Sequence, residues 1–247
     1  GFFAGWEPGC DIAALRKVAD EEGMIFQSIH APFTKMHHLW RPSEETESAI
    51  AELIACARDC AANNVPLMVV HAYIGFDDCQ PTEVSLENYT RVVREAEKLG
   101  VKIAFENTEG EEHLFALMEH FKDEPAVGFC WDSGHEMCYN HSADLLKMYG
   151  DRLYMTHLND NLGISRFDGK TYWTDDLHLL PYDGIADWDY NAARLKKSTV
   201  PEFLNFELNT VSKPNRHEND CYTAMPYEQF FTEAYKRACR IAYKLSR

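Results

Sequence analysis

The chain of 247 residues carries 24 Lys and Arg against 40 Asp and Glu, a formal net charge of −16. With 45% hydrophobic and 26% charged residues it has the composition of a globular protein, which excludes disordered and fibrous classes. No apolar run approaches the roughly 20 residues of a membrane helix, and no signal-peptide pattern occurs. The acidic excess argues against nucleic acid as the main partner, because phosphate binding needs clustered Lys and Arg. We expect a cytoplasmic protein that does not bind a membrane.

Short apolar runs alternate with helical patterns along the chain. The runs have the length and composition of strands and span 24–29, 67–70, 101–105, 126–131, 153–156 and 203–206. The helical patterns span 11–22, 43–63, 82–99, 111–121, 190–197 and 226–245. This alternation predicts right-handed crossovers and a parallel sheet, hence an α/β fold. Because neither Gly-rich nucleotide-binding motif occurs, a closed barrel is favoured and no organic cofactor is expected.

Each apolar run is followed directly by a residue that can bind a metal ion. These residues are His30, His71, Glu106, Asp132, His157 and Glu207. Because parallel strands point the same way, the six side chains are expected at the C-terminal rim, where barrel enzymes place their chemistry. Crowded carboxylates and histidines without a cation would cost several kcal/mol in repulsion and desolvation. The sequence therefore predicts a bound metal.

Three further residues extend this set. His135 follows Asp132 by three positions, and Asp176 and His178 form a D-x-H pair inside the long connection 158–187. A connection of that length is typical of a functional lid, so the pair is interpreted as binding metal or substrate. No Cys occupies these positions, and a donor set of oxygen and nitrogen suits Mn²⁺, Zn²⁺, Co²⁺ or Mg²⁺.

Seven short motifs occur in one order along the chain. They are IHAP at 29–32, VH at 70–71, FENT at 105–108, WDSGH at 131–135, THLND at 156–160, HLLP at 178–181 with GIADW at 184–188, and FELN at 206–209. Their order and spacing resemble the xylose isomerase-like TIM-barrel superfamily of sugar (phosphate) isomerases and epimerases, which also contains endonuclease IV. The resemblance covers about residues 1–209 and implies a TIM (β/α)8-type barrel.

The resemblance also predicts how the chain fills such a barrel. We interpret 1–247 as a single domain of this type. A barrel of this family needs eight strands, whereas six apolar runs are visible. We therefore expect a first strand, its helix and most of a second strand to lie upstream of Gly1, with residues 1–4 as the tail of that second strand.

In the ketose 3-epimerase branch, the resemblance implies that one divalent cation is bound by Glu106, Asp132, His157 and Glu207. The cation would polarise the carbonyl of the sugar and acidify the adjacent C–H. One of the two glutamates, Glu106 or Glu207, would remove that proton and the other would return it on the opposite face, through a metal-held enediolate.

Several residues match or approach substrate-binding positions of this branch. His135 matches the position that contacts a substrate oxygen, and His30 and His71 are candidates for substrate contact or for further metal ligands. The branch has a substrate-binding Arg shortly after the metal-binding His, and the nearest one here is Arg166. The aromatic residues near the rim suit either stacking on a small polyol or ordinary core packing, and they are Trp6, Phe33, Trp40, Trp131 and Trp173.

The ligand set leaves a second branch open. Endonuclease IV binds three zinc ions, and all nine of its ligand types have matches here: His30, His71, Glu106, Asp132, His135, His157, Asp176, His178 and Glu207. A trinuclear site would suit phosphodiester hydrolysis. A polyol dehydratase or lyase on the same scaffold would share the proton-abstraction chemistry.

Charge separates these alternatives. The rim loops 31–43, 72–82, 107–111, 133–142 and 158–187 contain Lys35, Arg41, Arg166 and Lys170 as their permanent cations. A duplex-binding enzyme would spread many more phosphate contacts over that face. We therefore predict a metal-dependent sugar or sugar-phosphate isomerase or epimerase with a small sugar or polyol substrate. Homo-oligomers are common among such relatives.

Overall fold

The computed structural model describes residues 1–76, 79–140 and 143–247. Two compact units follow each other along the chain, Gly1–Cys130 and Trp131–Arg247. Among the described residues, no helix combines the length and apolar character that a membrane span requires.

The first unit alternates strands with helices. Its strands are β1 (Phe2–Gly5), β2 (Phe26–His30), β3 (Leu67–His71), β4 (Lys102–Glu106) and most of β5 (Val127–Asp132). Its helices are α1 (Ile12–Glu21), α2 (Thr46–Ala62), α3 (Glu83–Lys98) and α4 (Glu111–His120), with a 3₁₀ turn at Met36–Leu39. The strands pair in chain order and all pairs are parallel, which confirms the predicted α/β class with a parallel sheet.

Local sequence signals set the ends of α3. The Thr82 hydroxyl accepts from the Ser85 N–H at 3.2 Å, and the Ser85 hydroxyl accepts from the Thr82 N–H at 2.8 Å, so the two residues cap each other. Gly100 ends the segment with a φ of 71°, a conformation that glycine adopts without strain. The buried face carries Val92 and Val93, as the helical spacing predicts.

Helix α1 departs from its predicted apolar face. Ile12 and Ala19 are buried, but Leu15 and Val18 are 41% and 53% exposed. The periodicity correctly predicts the helix, whereas its apolar stripe is wider than the surface that packs against it.

The register of the sheet decides which strand ends meet. His71 is the partner of Glu106 across β3 and β4, and His30 is the partner of Val69 across β2 and β3. Side chains alternate between the two faces of a strand, so residues two positions apart share a face. His30, His71 and Glu106 therefore lie at one edge and on one face of this sheet.

The second unit begins with the last two residues of β5 and contains β6 (Leu153–His157), which follows β5 in the strand order. Its helices are α5 (Ser133–Cys138), α6 (Leu145–Tyr149), α7 (Trp188–Leu195), α8 (Asp220–Thr223) and α9 (Tyr227–Leu245). Two 3₁₀ turns lie at Gly150–Arg152 and Trp173–Asp175. The helices predicted at 190–197 and 226–245 correspond to α7 and α9.

The structure bears on two further strand predictions, at residues 203–206 and at residues 1–4. Residues 203–206 do not form a continuous strand; Phe206 makes an isolated parallel bridge with Leu158. The Thr156 hydroxyl accepts from the Asn205 N–H at 3.0 Å, so a side chain takes the place of a ladder carbonyl. At the other end, Phe2–Gly5 form strand β1, in the place where residues 1–4 were expected to belong to a strand; its continuation upstream of Gly1 stays a prediction.

Candidate metal centre and active site

The first unit brings together the predicted residues His30, His71 and Glu106. Their potential ligand atoms all lie within 4.8 Å of one another. Glu106 Oε2 lies 3.2 Å from His30 Nε2 and 3.5 Å from His71 Nε2. Glu106 is fully buried and the two histidine side chains are nearly so. The sheet register, rather than a local motif, creates this cluster.

The hydrogen bonding of His30 suits a cation between the imidazole and the carboxylate. His30 Nδ1 lies 2.8 Å from the Ala31 carbonyl, which can only accept, so Nδ1 carries the proton. In the neutral ring Nε2 is then an acceptor, and it faces the Glu106 carboxylate at 3.2 Å. Four ligands around a tetrahedral ion with bonds near 2.1 Å are about 3.4 Å apart. The cluster therefore has both the spacing and the donor polarity of a metal site.

An exposed aromatic ring borders this cluster. Phe33 stacks on His71 with centroids 4.8 Å apart and meets His30 edge-on at 5.8 Å. Phe33 is 41% exposed, so its free face is accessible to a ligand. Trp6 and Trp40 are instead core residues, because both are buried and their indole N–H groups donate to Asp59 and to the Ala72 carbonyl.

The second unit contains its own cluster of predicted residues. Potential ligand atoms of Asp132, His135 and His178 lie within 4.8 Å of one another. Asp176 Oδ2 lies 2.8 Å from His178 Nε2 and 3.5 Å from His135 Nε2. The other oxygen, Asp176 Oδ1, is buried without a hydrogen-bond partner among the described residues. A buried carboxylate oxygen in that condition fits a metal ligand better than a structural role.

Backbone geometry and charge both act on His178. Its φ of 51° is unusual for a residue other than glycine and is a strained backbone conformation. Its Nδ1–H donates to the Glu207 carbonyl at 3.0 Å, which directs Nε2 to the carboxylate. Burial alone would lower the pKa of His178, but the neighbouring carboxylates Asp176 and Glu207 outweigh it and raise that pKa to about 9.

The partner carboxylate responds in the opposite direction. Burial alone would raise the pKa of Asp176, but the positive charges of His178 and His135 hold it well below its usual range. Without a metal, a proton therefore occupies His178 and Asp176 is ionised at neutral pH. A metal ion that binds these side chains must displace that proton.

Glu207 and His157 form the third feature of the second unit. Glu207 Oε2 lies 3.4 Å from His157 Nδ1 and 3.6 Å from His178 Nδ1. The His157 side chain is fully buried, whereas that of Glu207 is 24% exposed. Glu207 therefore combines histidine contacts with access from outside, as a proton-transferring carboxylate requires.

The orientation of Asp132 is fixed by hydrogen bonds on both oxygens. Oδ1 caps helix α5 by accepting from the N–H groups of Gly134 and His135 at 2.8 and 2.7 Å. Oδ2 accepts from Asn159 Nδ2 at 2.8 Å. Gly134 is needed for this close approach, because a Cβ there would lie 1.9 Å from Asn159 Oδ1.

A buried carboxylate that the sequence analysis did not single out holds the D-x-H segment in place. The backbone of Asp160 exchanges two hydrogen bonds of 2.9 Å with Leu179, next to His178. Its carboxylate accepts four hydrogen bonds of 2.9 Å, from the N–H groups of Asn161, Tyr182 and Ala186 and from Trp188 Nε1. Asp160 ends the motif THLND and Trp188 ends the motif GIADW, so both residues were visible in the sequence. Their hydrogen bond could not be predicted, because it depends on the tertiary fold.

The remaining predicted residues have other surroundings. Arg166 is exposed and its guanidinium covers the Tyr172 ring at 4.6 Å. Trp131 is fully buried, with Arg194 over its ring at 5.4 Å. The substrate-binding roles of both remain predictions. Sequence reasoning missed Lys213, whose Nζ lies 3.7 Å from Asp176 Oδ2, because the loop after Glu207 shows no periodic pattern.

Comparisons with known proteins identify the fold. Residues 6–223 match the family model described as xylose isomerase-like TIM barrel. The uncharacterized protein y4fM of Sinorhizobium fredii is 26% identical over 269 residues, which cover 92% of this chain and 82% of that protein.

Two solved structures show the same fold at low identity. The structure of IolI protein with a bound zinc atom has a TM-score of 0.72 and 18% identity, and the match covers 96% of this chain and 83% of that one. D-psicose 3-epimerase from Clostridium cellulolyticum H10, solved with D-tagatose, has a TM-score of 0.70 and 15% identity, with 95% and 83% of the two chains covered. The family model, which matches most of the chain, shows that the protein belongs to the xylose isomerase-like TIM-barrel family.

Proposed function

We propose that this protein is a divalent-metal-dependent sugar or sugar-phosphate isomerase or epimerase that removes the proton next to a carbonyl. One observation carries the proposal: buried histidines and carboxylates cluster at the ends of parallel strands in the first unit and around Asp132, at the end of β5, in the second. Relatives of the same fold support it, since they include a D-tagatose 3-epimerase-like protein, an L-ribulose 3-epimerase and IolI with bound zinc.

The proposed metal ligands are Glu106, Asp132, His157 and Glu207. When bound, the cation supplies positive charge that polarises a carbonyl and acidifies the neighbouring C–H. His30 and His71 around Glu106, and His135, Asp176 and His178 around Asp132, are proposed as further ligands or substrate contacts. The donor set has no thiolate and suits Mn²⁺, Zn²⁺, Co²⁺ or Mg²⁺.

Two glutamates are proposed to move the proton. Glu207 is 24% exposed and lies beside His157 and His178, so its carboxylate is placed to take a proton from a bound substrate. Glu106 is held by His30 and His71 and would return a proton on the other face. His135 would orient a substrate oxygen. Removal and return on opposite faces inverts the carbon, which is epimerisation; return to the neighbouring carbon is isomerisation.

The test is proton exchange with solvent. The metal-loaded protein is incubated in D₂O with a panel of ketoses, inosose-type polyols and their phosphates, and deuterium is sought at the carbon next to the carbonyl. We expect incorporation with at least one substrate, lost in E106Q and E207Q and kept in E202Q, which changes an exposed glutamate five positions before Glu207. Absence of exchange on the whole panel would contradict the proposal.

A second candidate, metal-dependent phosphodiester hydrolysis, is favoured by one observation. Each unit has its own triplet of ligand atoms within 4.8 Å, as a site with several metal ions would require. The net charge of −16 opposes binding of a nucleic acid duplex. Cleavage of an abasic-site duplex without any α-proton exchange would favour this candidate, and exchange accompanied by loss of water would favour a dehydratase.

A further inference from the structure

The loop of residues 209–219 is fastened to the segment that carries the D-x-H pair. Asn219 Nδ2 donates to the Leu177 carbonyl at 3.0 Å and to the Asn209 carbonyl at 2.6 Å. Arg216 donates to Asp175 Oδ1 at 2.9 Å. These bonds reach the residues on either side of Asp176, so the loop holds a defined position beside that carboxylate.

Lys213 projects from this loop toward the cluster. Its Nζ lies 3.7 Å from Asp176 Oδ2 and 5.3 Å from the centroid of the Trp173 ring. The Lys213 side chain is 18% exposed and Trp173 is 48% exposed, so solvent still has partial access to this pair. The lysine stem is therefore sheltered while its charged end keeps access to a ligand.

The contact with Asp176 does not satisfy the hydrogen-bond donors of the Lys213 ammonium. Asp176 Oδ2 already accepts from His178 at 2.8 Å, and 3.7 Å is too long for a hydrogen bond from Lys213. An ammonium group has three donors, and the long contact with Asp176 satisfies none of them. The nearby Arg216 differs, because its guanidinium is engaged by both Asp175 and Glu218.

A cation at this place is unfavourable for metal binding by itself. A positive charge within a few Å of metal ligands repels the incoming ion. The cost is offset when an anion binds to the ammonium, since the anion neutralises the lysine and accepts its hydrogen bonds. The Lys213 ammonium beside this carboxylate–histidine cluster is thus suited to a substrate that carries its own negative charge.

We infer that Lys213 is a specificity-determining residue that binds an anionic substituent of the substrate, a phosphate or a carboxylate, against the face of Trp173. The inference rests on the proposed function and narrows it to acidic sugars or sugar phosphates. It assigns to Lys213 the anchoring role that the sequence analysis sought in Arg166, which is exposed and stacked on Tyr172.

The kinetic test compares K213M and K213R with K170M, which removes an exposed lysine of the 158–187 connection. Substrates are matched ketoses that are neutral, phosphorylated at the far end, or oxidised there to a carboxylate. We expect K213M to raise KM for one or both anionic substrates roughly 10- to 100-fold with little change in kcat. K213R should recover most of this loss, and K170M should behave as wild type. The phosphate and carboxylate substrates distinguish the two anions.

Equilibrium binding separates this inference from the proposed function. Calorimetric titrations with inorganic phosphate and with D-glucarate are compared for wild type, K213M and K170M. Weaker binding in K213M alone supports the inference even if no sugar shows proton exchange. Equal binding in all three proteins, or equal losses of K213M on neutral and anionic substrates, would overturn it while leaving the proposed function intact.

Discussion

Replacing Asp160 by Asn tests whether this buried carboxylate positions the D-x-H pair. Each carboxylate oxygen accepts two hydrogen bonds of 2.9 Å, and the side chain is completely buried. Asn has nearly the shape of Asp but only one side-chain oxygen. Its amide N–H₂ group would therefore face two of the four N–H donors that now bind the Asp160 carboxylate. Two charge-assisted bonds are lost and two buried N–H groups lose their acceptor.

The magnitude follows from the number of bonds. Hydrogen bonds to a charged group contribute about 1.5–3 kcal/mol each, so the loss of two in D160N should lower the free energy of unfolding by roughly 3–6 kcal/mol. W188F removes a single donor and should cost about 1–2 kcal/mol. D168N, an exposed carboxylate of the same connection, should stay within about 0.5 kcal/mol of wild type.

The assay is amide hydrogen exchange combined with urea denaturation. The amides of Tyr182 and Ala186 donate directly to Asp160, so both should exchange faster in D160N than in D168N. Metal affinity should fall as well, because the backbone of Asp160 holds Leu179 beside His178. A loss below about 1 kcal/mol with unchanged exchange at positions 182 and 186 would refute the positioning role.

Two further predictions concern the same unit and its pH response. G134A places a Cβ 1.9 Å from Asn159 Oδ1 and should cost about 1–3 kcal/mol in urea denaturation, whereas G5A meets no atom within 4 Å and should be nearly neutral. Because the pKa of His178 rises from 6.5 to about 9 in the metal-free fold, the stability from its pair with Asp176 is fully present below pH 6.5 and is lost as pH rises through 9. Calorimetric melting across this range should show that loss in wild type and not in H178Q; parallel curves for the two proteins would contradict the assignment.

The sequence predicted the strand ends well because two independent signals coincide there. Apolar runs set the strands, and parallel pairing then requires residues such as His71 and Glu106 to meet at one edge. Helices with clear caps, such as α3 after Thr82, were also predicted, because capping signals are local in the sequence.

The missed features depend on contacts that no local pattern encodes. The strand expected at 203–206 is reduced to one bridge, because Thr156 replaces a ladder partner of Asn205. Lys213 reaches Asp176 from a loop whose position is set by Asn219, far from any periodic segment. Such placements follow from tertiary packing, which sequence spacing cannot supply.

Deuterium incorporation by protein stripped of metal and then reloaded tests the proposed metal-dependent proton transfer most directly. Chelator treatment should abolish incorporation next to the carbonyl, and Mn²⁺, Co²⁺ or Zn²⁺ should restore it in wild type but not in E207Q. Incorporation that survives complete removal of the metal, or that persists in both E106Q and E207Q, would contradict metal-dependent proton abstraction by these glutamates.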